Sequence, residues 1–315
     1  LHYSGETLAE LPAQWRGFLL DLRALRLAGV TPVAGNPMQL LREQYEEAAG
    51  KLESTAKLRA LTADESADLG VLYVRLGRAA KAVEVLRPAV RAHPEHYRLS
   101  SNLGTAWQVQ GDLAEAARAL QDAVRLSPPR WRPFEEAQLR LIRLRQKEPK
   151  NALAVDDLFG VTFVGPSGKL EAGKIAPAAR KKLPTDDVAI VQQLAVWLPS
   201  DGRLLWLLAE LANAHGDART AAALMDGVVT EYAITTPEAR ERRQLYRKAA
   251  DEIAKLPDSE HAKYRGDIVF KSGRAIGRTL DADALPEIRP NGVNPLPWAV
   301  LAETSIDKPF RPKFH

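Results

Sequence analysis

The sequence predicts an all-α chain: an α-solenoid of antiparallel helix pairs, with a small β-hairpin or loop inserted and an extended Pro-rich C-terminal tail. Three observations carry that expectation. Residues 66–128 hold one pattern written twice, 34 residues apart. The first copy reads Leu69-Gly70, Tyr73, Gly77, Ala82, Leu86, Ala89, Pro94, and the second Leu103-Gly104, Trp107, Gly111, Ala116, Leu120, Ala123, Pro128. Residues 203–232 echo the second copy 105 residues on, three repeat lengths and three residues later. Finally, Ala, Leu and Arg are plentiful while aromatics make up only 6%, a composition that suits helices.

The spacing within each copy has a physical reading. Leu-Gly with an aromatic three residues on lies on one face of a helix, and the glycine lets a neighbouring helix approach closely. Gly77 and Gly111 end that helix, as glycine does past a C-terminus. Ala, Leu and Ala then recur at spacings of four and three, the buried stripe of a second helix. Pro94 and Pro128 close each unit, because proline cannot continue a helix interior. At these residues the chain resembles the tetratricopeptide-repeat (TPR) family, whose repeat length and pattern it reproduces, with Ser66 and Ser100 in place of the usual leading Trp. The resemblance implies a right-handed solenoid that binds other proteins.

In chain order, residues 1–61 are expected to hold N-terminal capping helices. The first runs from about Ala13 to Leu27, with Trp15, Phe18, Leu19, Leu22 and Leu25 on one face and Arg16, Arg23 and Arg26 elsewhere. A cap on the next helix explains it better than a membrane-surface helix, since solenoid ends need covering. Asn36-Pro37 is a good helix start, and Leu41, Tyr45, Ala48 and Leu52 face inward on the helix that follows to about Leu58. Thr62 with Glu65 is a capping-box pattern opening the repeat region 62–148. A third, degenerate unit begins near Phe134, with Ala137-Gln138 for Leu-Gly and Leu141 in the aromatic position; a short partner helix is expected at 152–158. Residues 149–186 form an irregular insertion, where 160–170 reads as a β-hairpin or loop around Gly165-Pro166-Ser167-Gly168. Helices resume at 177–182 and across a second block, 187–256, which contains the pair at 203–232. Asp112 and Asp217 are N-cap candidates. Residues 257–315, broken by Pro286, Pro290, Pro295, Pro297, Pro309 and Pro312, read as an extended tail or a linker to a further domain; a short strand is expected at 267–271, and Trp298, Val300 and Leu301 look like a docking anchor.

Composition excludes several function classes. With 44 cations against 40 anions, the net charge of +4 is no global nucleic-acid footprint. The absence of cysteine removes disulfides, thiolate metal sites and a Cys nucleophile. No run approaches the ~18 apolar residues of a membrane span. The start at Leu1 rather than Met suits a chain trimmed of an export signal, hence a periplasmic or exported protein, with cytoplasmic residence as the alternative.

No active site is visible. The stretch Gly165 to Lys169 fails as a phosphate loop, with Phe163 at the first Gly position and Leu170 in place of Ser/Thr. His93 and His96 flank the repeat proline without a third ligand nearby, so a solvated turn explains them better than a metal. Glu135-Glu136, Asp156-Asp157 and Asp186-Asp187 are sequence neighbours that point apart on a helix, which does not make an acid/base pair. Neither a cofactor nor a metal is expected.

Two surfaces remain. Residues 130–150 carry Arg130, Arg132, Arg140, Arg143, Arg145, Lys147 and Lys150 against three acids, with Trp131 and Phe134 at the start. This could face an acidic partner or nucleic acid, or be an Arg-rich helix whose stems cover apolar surface. The second surface follows from the TPR resemblance, which implies that the first helix of each pair lines a groove. Arg75, Arg98, Ser101, Asn102, Thr105 and Gln108 then face it, and Arg132 and Glu135 continue it. Asn102 stands where some members use an asparagine to hold a peptide backbone; its counterpart one repeat earlier is Asp68, so there is no asparagine ladder. The expected function is a non-enzymatic scaffold that binds a protein or peptide segment. The alternatives are an accessory region of a larger enzyme or redox protein whose active domain lies beyond residue 315, and acidic-partner or nucleic-acid binding through 130–150.

Overall fold

The structure is a computed structural model and describes residues 1–4, 15–30, 40–149, 152–257 and 260; for 15–21 and 40 it describes the helical backbone alone. Among these residues it forms twelve helices and no strand. The tail features expected at 267–271 and 298–301 lie outside the described residues, as does Lys150.

The repeat region consists of α3 (Ala63–Arg75), α4 (Ala79–Ala92), α5 (Tyr97–Gln110), α6 (Leu113–Leu126) and α7 (Arg132–Lys147), each packed on the next, with α3 also against α5. Thr62 and Glu65 close their capping box around the start of α3. Asp112 caps α6, accepting from the Glu115 amide at 3.0 Å. The repeat glycines work as close-approach positions: a Cβ on Gly104 would stand 2.6 Å from Leu120 Cγ, and one on Gly70 would strike Leu86 in the same way. Gly77 and Gly111 hold φ of 72° and 94°, where a side chain is strained. Leu72, Leu86, Leu99, Leu120 and Leu141 are fully buried along the resulting core.

The degenerate third unit departs from the pattern for a visible reason. Residues 152–158 form no helix, contrary to the sequence expectation, because Asp156 is drawn inward, 1% exposed, to Arg145 (2.7 Å) and Arg203 (2.9 Å). With no partner helix to admit, the glycine position of α7 holds the buried Gln138, whose amide reaches back to Thr105 (3.1 Å) and Gln108 (2.8 Å) on α5. The insertion takes the loop alternative. Its arms share isolated main-chain bonds, Gly165 to Lys169 and Ala176 to Val164, and it is anchored by buried Leu158, Phe163 and Ile175.

After the short α8 (Pro177–Arg180), the chain enters α9 (Asp187–Trp197), α10 (Gly202–Ala214), α11 (Ala218–Thr230) and α12 (Pro237–Ala254). The pair α10–α11 repeats the earlier geometry: Asp217 caps α11, accepting from the Thr220 amide at 2.9 Å, and Gly216 takes φ 88°. Ala221, Met225 and Val228 are all fully buried.

Helix α9 decides the shape of the inner surface. Every one of its residues is buried, as befits a helix that is apolar on all sides. It packs on α7, on α10 and on α1 (Trp15–Ala28). Arg75 of α3 donates to the Val196 carbonyl at 2.7 Å, placing a cation at the negative C-terminal end of α9. The solenoid's inner face is therefore partly filled by its own chain. Helix α1 packs on α2 (Leu40–Leu58) and α3, with Leu22 and Leu25 buried, while Arg23 and Arg26 pair with Glu231 past the end of α11. Its basic rim is thus turned to an intramolecular acid. With Arg203 to Glu148 at 2.7 Å and Arg145 to Asp201, these pairs join the repeat region to the second block.

Candidate functional site

The inner face of α5 is unusually polar for a helix so deeply buried: Ser101, Asn102 and Thr105 are 0% exposed. Such groups need partners, since an unpaired buried polar group costs about 1–3 kcal/mol. For Ser101 and Asn102 those partners include the main chain of residues 1–4; for Thr105 they are Gln138 and the Ser101 carbonyl.

Asn102 holds His2 by both main-chain groups: its Oδ1 accepts from the His2 amide at 2.6 Å and its Nδ2 donates to the His2 carbonyl at 3.0 Å. Nδ2 also donates to the Ala67 carbonyl at 3.1 Å, tying the amide to α3. The Leu1 nitrogen donates to Ser101 Oγ at 3.2 Å. Two residues along, Asp68 accepts from the Ser4 amide at 3.0 Å and from its hydroxyl. His2 and Ser4, two residues apart, thus meet Asn102 and Asp68 on successive repeats. Arg98 reaches the His2 carbonyl at 3.3 Å and pairs with Asp64 and Asp68.

The His2 side chain enters a box. Its ring lies 4.5 Å from Trp131 and 5.3 Å from Trp197, both edge-on, and 4.9 Å from Tyr97. Its Nε2 is 3.0 Å from Glu135 Oε1 and 2.6 Å from the Tyr97 hydroxyl, which itself donates to Glu135 at 2.7 Å. Ser101 donates to the same carboxylate oxygen at 2.6 Å, while the buried Oε2 has no partner among the described residues. Burial, foremost, pushes the imidazole down from 6.5 to about 4 against the pull of Glu135. For Glu135, burial acts upward, but the hydrogen bond from His2 and that from Ser101 help hold the carboxyl at about 2. At neutral pH this is a neutral imidazole donating to a carboxylate.

Of the residues expected to line a groove, Arg98, Ser101, Asn102 and Glu135 meet on this segment. Thr105 and Gln108 instead support Gln138, and Arg75 is buried under α9. Arg132 lies apart: it is exposed and donates to the Ser127 carbonyl at 3.3 Å. In the basic stretch, Arg145 is taken by Asp156 and Asp201, Arg140 donates to the Leu158 carbonyl at 3.2 Å, and Arg130 lies over the Trp131 ring. Arg143 and Lys147 are exposed. Sequence reasoning missed residues 1–4, Tyr97 and Trp197 and read Trp131 as part of the basic stretch. A signal for the box existed: Tyr97 and Trp131 are aromatic residues one repeat length apart.

Among the described residues, no group of three His, Cys, Asp or Glu is placed to hold a metal, and no helix is long and apolar enough to cross a membrane. The tetratricopeptide-repeat family model matches residues 67–130, the stretch that forms α3 to α6 and the turn before α7. Residues 67–130 are thus tetratricopeptide repeats, which generally mediate protein–protein interaction. No curated protein matches the chain.

Proposed function

We propose that this chain is a non-enzymatic interaction module that holds an extended protein segment on the inner face of α5 through its main chain. One observation carries the reading: Asn102 engages both the amide and the carbonyl of one residue, His2, in a laid-in segment. A side chain that pairs with both main-chain groups recognises an extended peptide whatever its sequence, and each such bond contributes about 0.5–1.5 kcal/mol. Arg98 adds a second donor to that carbonyl. The basic stretch supports a nucleic-acid reading less well, because Arg145 and Arg140 are engaged within the chain.

The test is capture from a displayed library of unstructured peptides by the immobilised chain. Asn102→Ala and Arg98→Ala are expected to lose capture while costing no more than about 1 kcal/mol of global stability. Capture indifferent to both substitutions overturns the reading.

A further inference from the structure

The main-chain contacts at Asn102 and Asp68 are blind to sequence, but the box beside them is not. Its walls come from three separate elements: Tyr97 opens α5, Trp131 precedes α7, and Trp197 ends α9. Its floor is Glu135, 0% exposed. Ring separations of 4.5–5.3 Å match the spacing of favourable edge-on aromatic contacts, so the walls accept a flat ring. The floor asks for a donor, because a buried carboxylate is costly unless hydrogen bonds satisfy it. Flat and donating at its far edge describes an imidazole. A phenyl ring would fill the walls and remove one of the three donors that Glu135 takes from His2, Tyr97 and Ser101; an alkyl ammonium would donate without filling the walls. The flanking positions also select. Leu1 is 3% exposed, Tyr3 sets its ring edge-on to Tyr45 at 6.3 Å, and the Ser4 hydroxyl donates to Asp68.

We propose that the box of Tyr97, Trp131, Trp197 and Glu135 is a histidine-reading subsite of the groove, that residues 1–4 are its resident occupant, and that its external partner is an extended protein segment carrying an apolar residue, histidine, an aromatic residue and serine in that order. This rests on the main-chain reading of the groove given above. The resident segment is tethered, so it competes with an outside segment at an effective concentration of roughly millimolar order. The unaltered chain therefore takes up such a partner weakly, and a chain with a loosened resident takes it up well.

The experiment measures fluorescence anisotropy of a labelled peptide, Leu-His-Tyr-Ser-Gly-Glu, on the full chain and on the full chain carrying His2→Ala. Binding to the His2→Ala chain is expected to be tighter by about tenfold or more, and a peptide with Phe in place of His weaker by about tenfold or more. Adding Asn102→Ala abolishes both. Equal binding of the His and Phe peptides, still dependent on Asn102, overturns the subsite and leaves the groove standing. No Asn102-dependent binding by a His2→Ala chain that melts normally overturns both. Should His2→Ala fail to fold, the unaltered chain decides by NMR. Its His2 ring protons, shifted by three aromatic walls, are expected to move to free positions as millimolar peptide is added; ring signals unmoved at that concentration overturn the proposal.

Discussion

The two helical blocks use one hairpin geometry for opposite ends. Positions 105 residues apart make the comparison direct. In the first block, α5 presents Ser101, Asn102 and Thr105 inward; in the second, α10 presents Trp206, Leu207 and Glu210. In the first set Ser101 and Asn102 meet the main chain of residues 1–4. The second set is buried among helices, with Glu210 accepting from Trp206 (3.0 Å) and Tyr246 (2.9 Å) and ion-paired with Arg242 (2.6 Å). The close-approach position changes accordingly, from Gly104 to Ala209, still 0% exposed. Yet both blocks keep an asparagine that holds main chain. Asn213, where α5 has Gln108, accepts from the Gly173 amide at 2.6 Å and donates to the carbonyls of Glu171 (3.1 Å) and Lys174 (3.4 Å). Asn102 holds residues 1–4, and Asn213 holds a loop fixed at both ends by helices. The pair geometry is thus indifferent to what fills its inner face; the polarity of four or five positions decides whether helices or an extended segment lie there.

That contrast breaks most sharply at Glu210. Glu210→Ala leaves the partly exposed Arg242 without its acid and the buried Trp206 and Tyr246 donors without an acceptor, a loss of about 3 kcal/mol or more. Its positional counterpart Thr105→Ala removes a neutral hydroxyl from Gln138, a change of about 1 kcal/mol. Urea unfolding measures both. Similar losses at the two sites would mean that the blocks are not built differently. The next effect is at Asn213. Asn213→Ala frees three main-chain groups of the insertion loop and is expected to destabilise by about 1–3 kcal/mol, with amide exchange rising first at 171–174.

The sequence made the pairs legible where small residues have one job. The 34-residue spacing located Gly70 and Gly104, and the capping residues Thr62, Asp112 and Asp217 all close as their spacing implies. Long-range occupancy was not legible. Nothing local marks residues 1–4 as groove-bound, because their partners lie 64 to 133 positions away. The run Val-Ala-Ile-Val-Gln-Gln-Leu-Ala-Val-Trp of α9 held a readable signal, apolar on every side, that pointed to a helix enclosed by others. The short helix expected at 152–158 failed because a buried ion pair at Asp156 outweighed local preference.

Asn102→Ala sharpens the comparison from the other side. It removes two bonds to His2, as Asn213→Ala removes bonds to the loop, but the helices that residues 1–4 touch also pack on one another without them, α3 on α5 and α7 on α9. The global unfolding midpoint is therefore expected to move by no more than about 1 kcal/mol, chiefly through the lost bond to Ala67. The local effect is large: the His2 ring signals leave the aromatic box. A global loss as great as that of Asn213→Ala would make the segment part of the core rather than an occupant.

The smallest global effect belongs to acid. The groups facing His2 are the Leu1 ammonium, Glu135 from α7, and Tyr97 and Arg98 from α5. Because burial foremost lowers the imidazole from 6.5 to about 4, the free segment binds a proton more readily than the held one. The hold is therefore complete above pH 6.5 and weakens as pH falls from 6.5 toward about 4. Amide exchange or His2 ring shifts, followed across that window, are expected to report release of residues 1–4 while the helical signal stays constant. Phe in place of His2 should abolish the pH dependence. A segment held equally at pH 4.5 and pH 7.5, or a phenylalanine chain that still releases, would show that the imidazole is not what acid acts on.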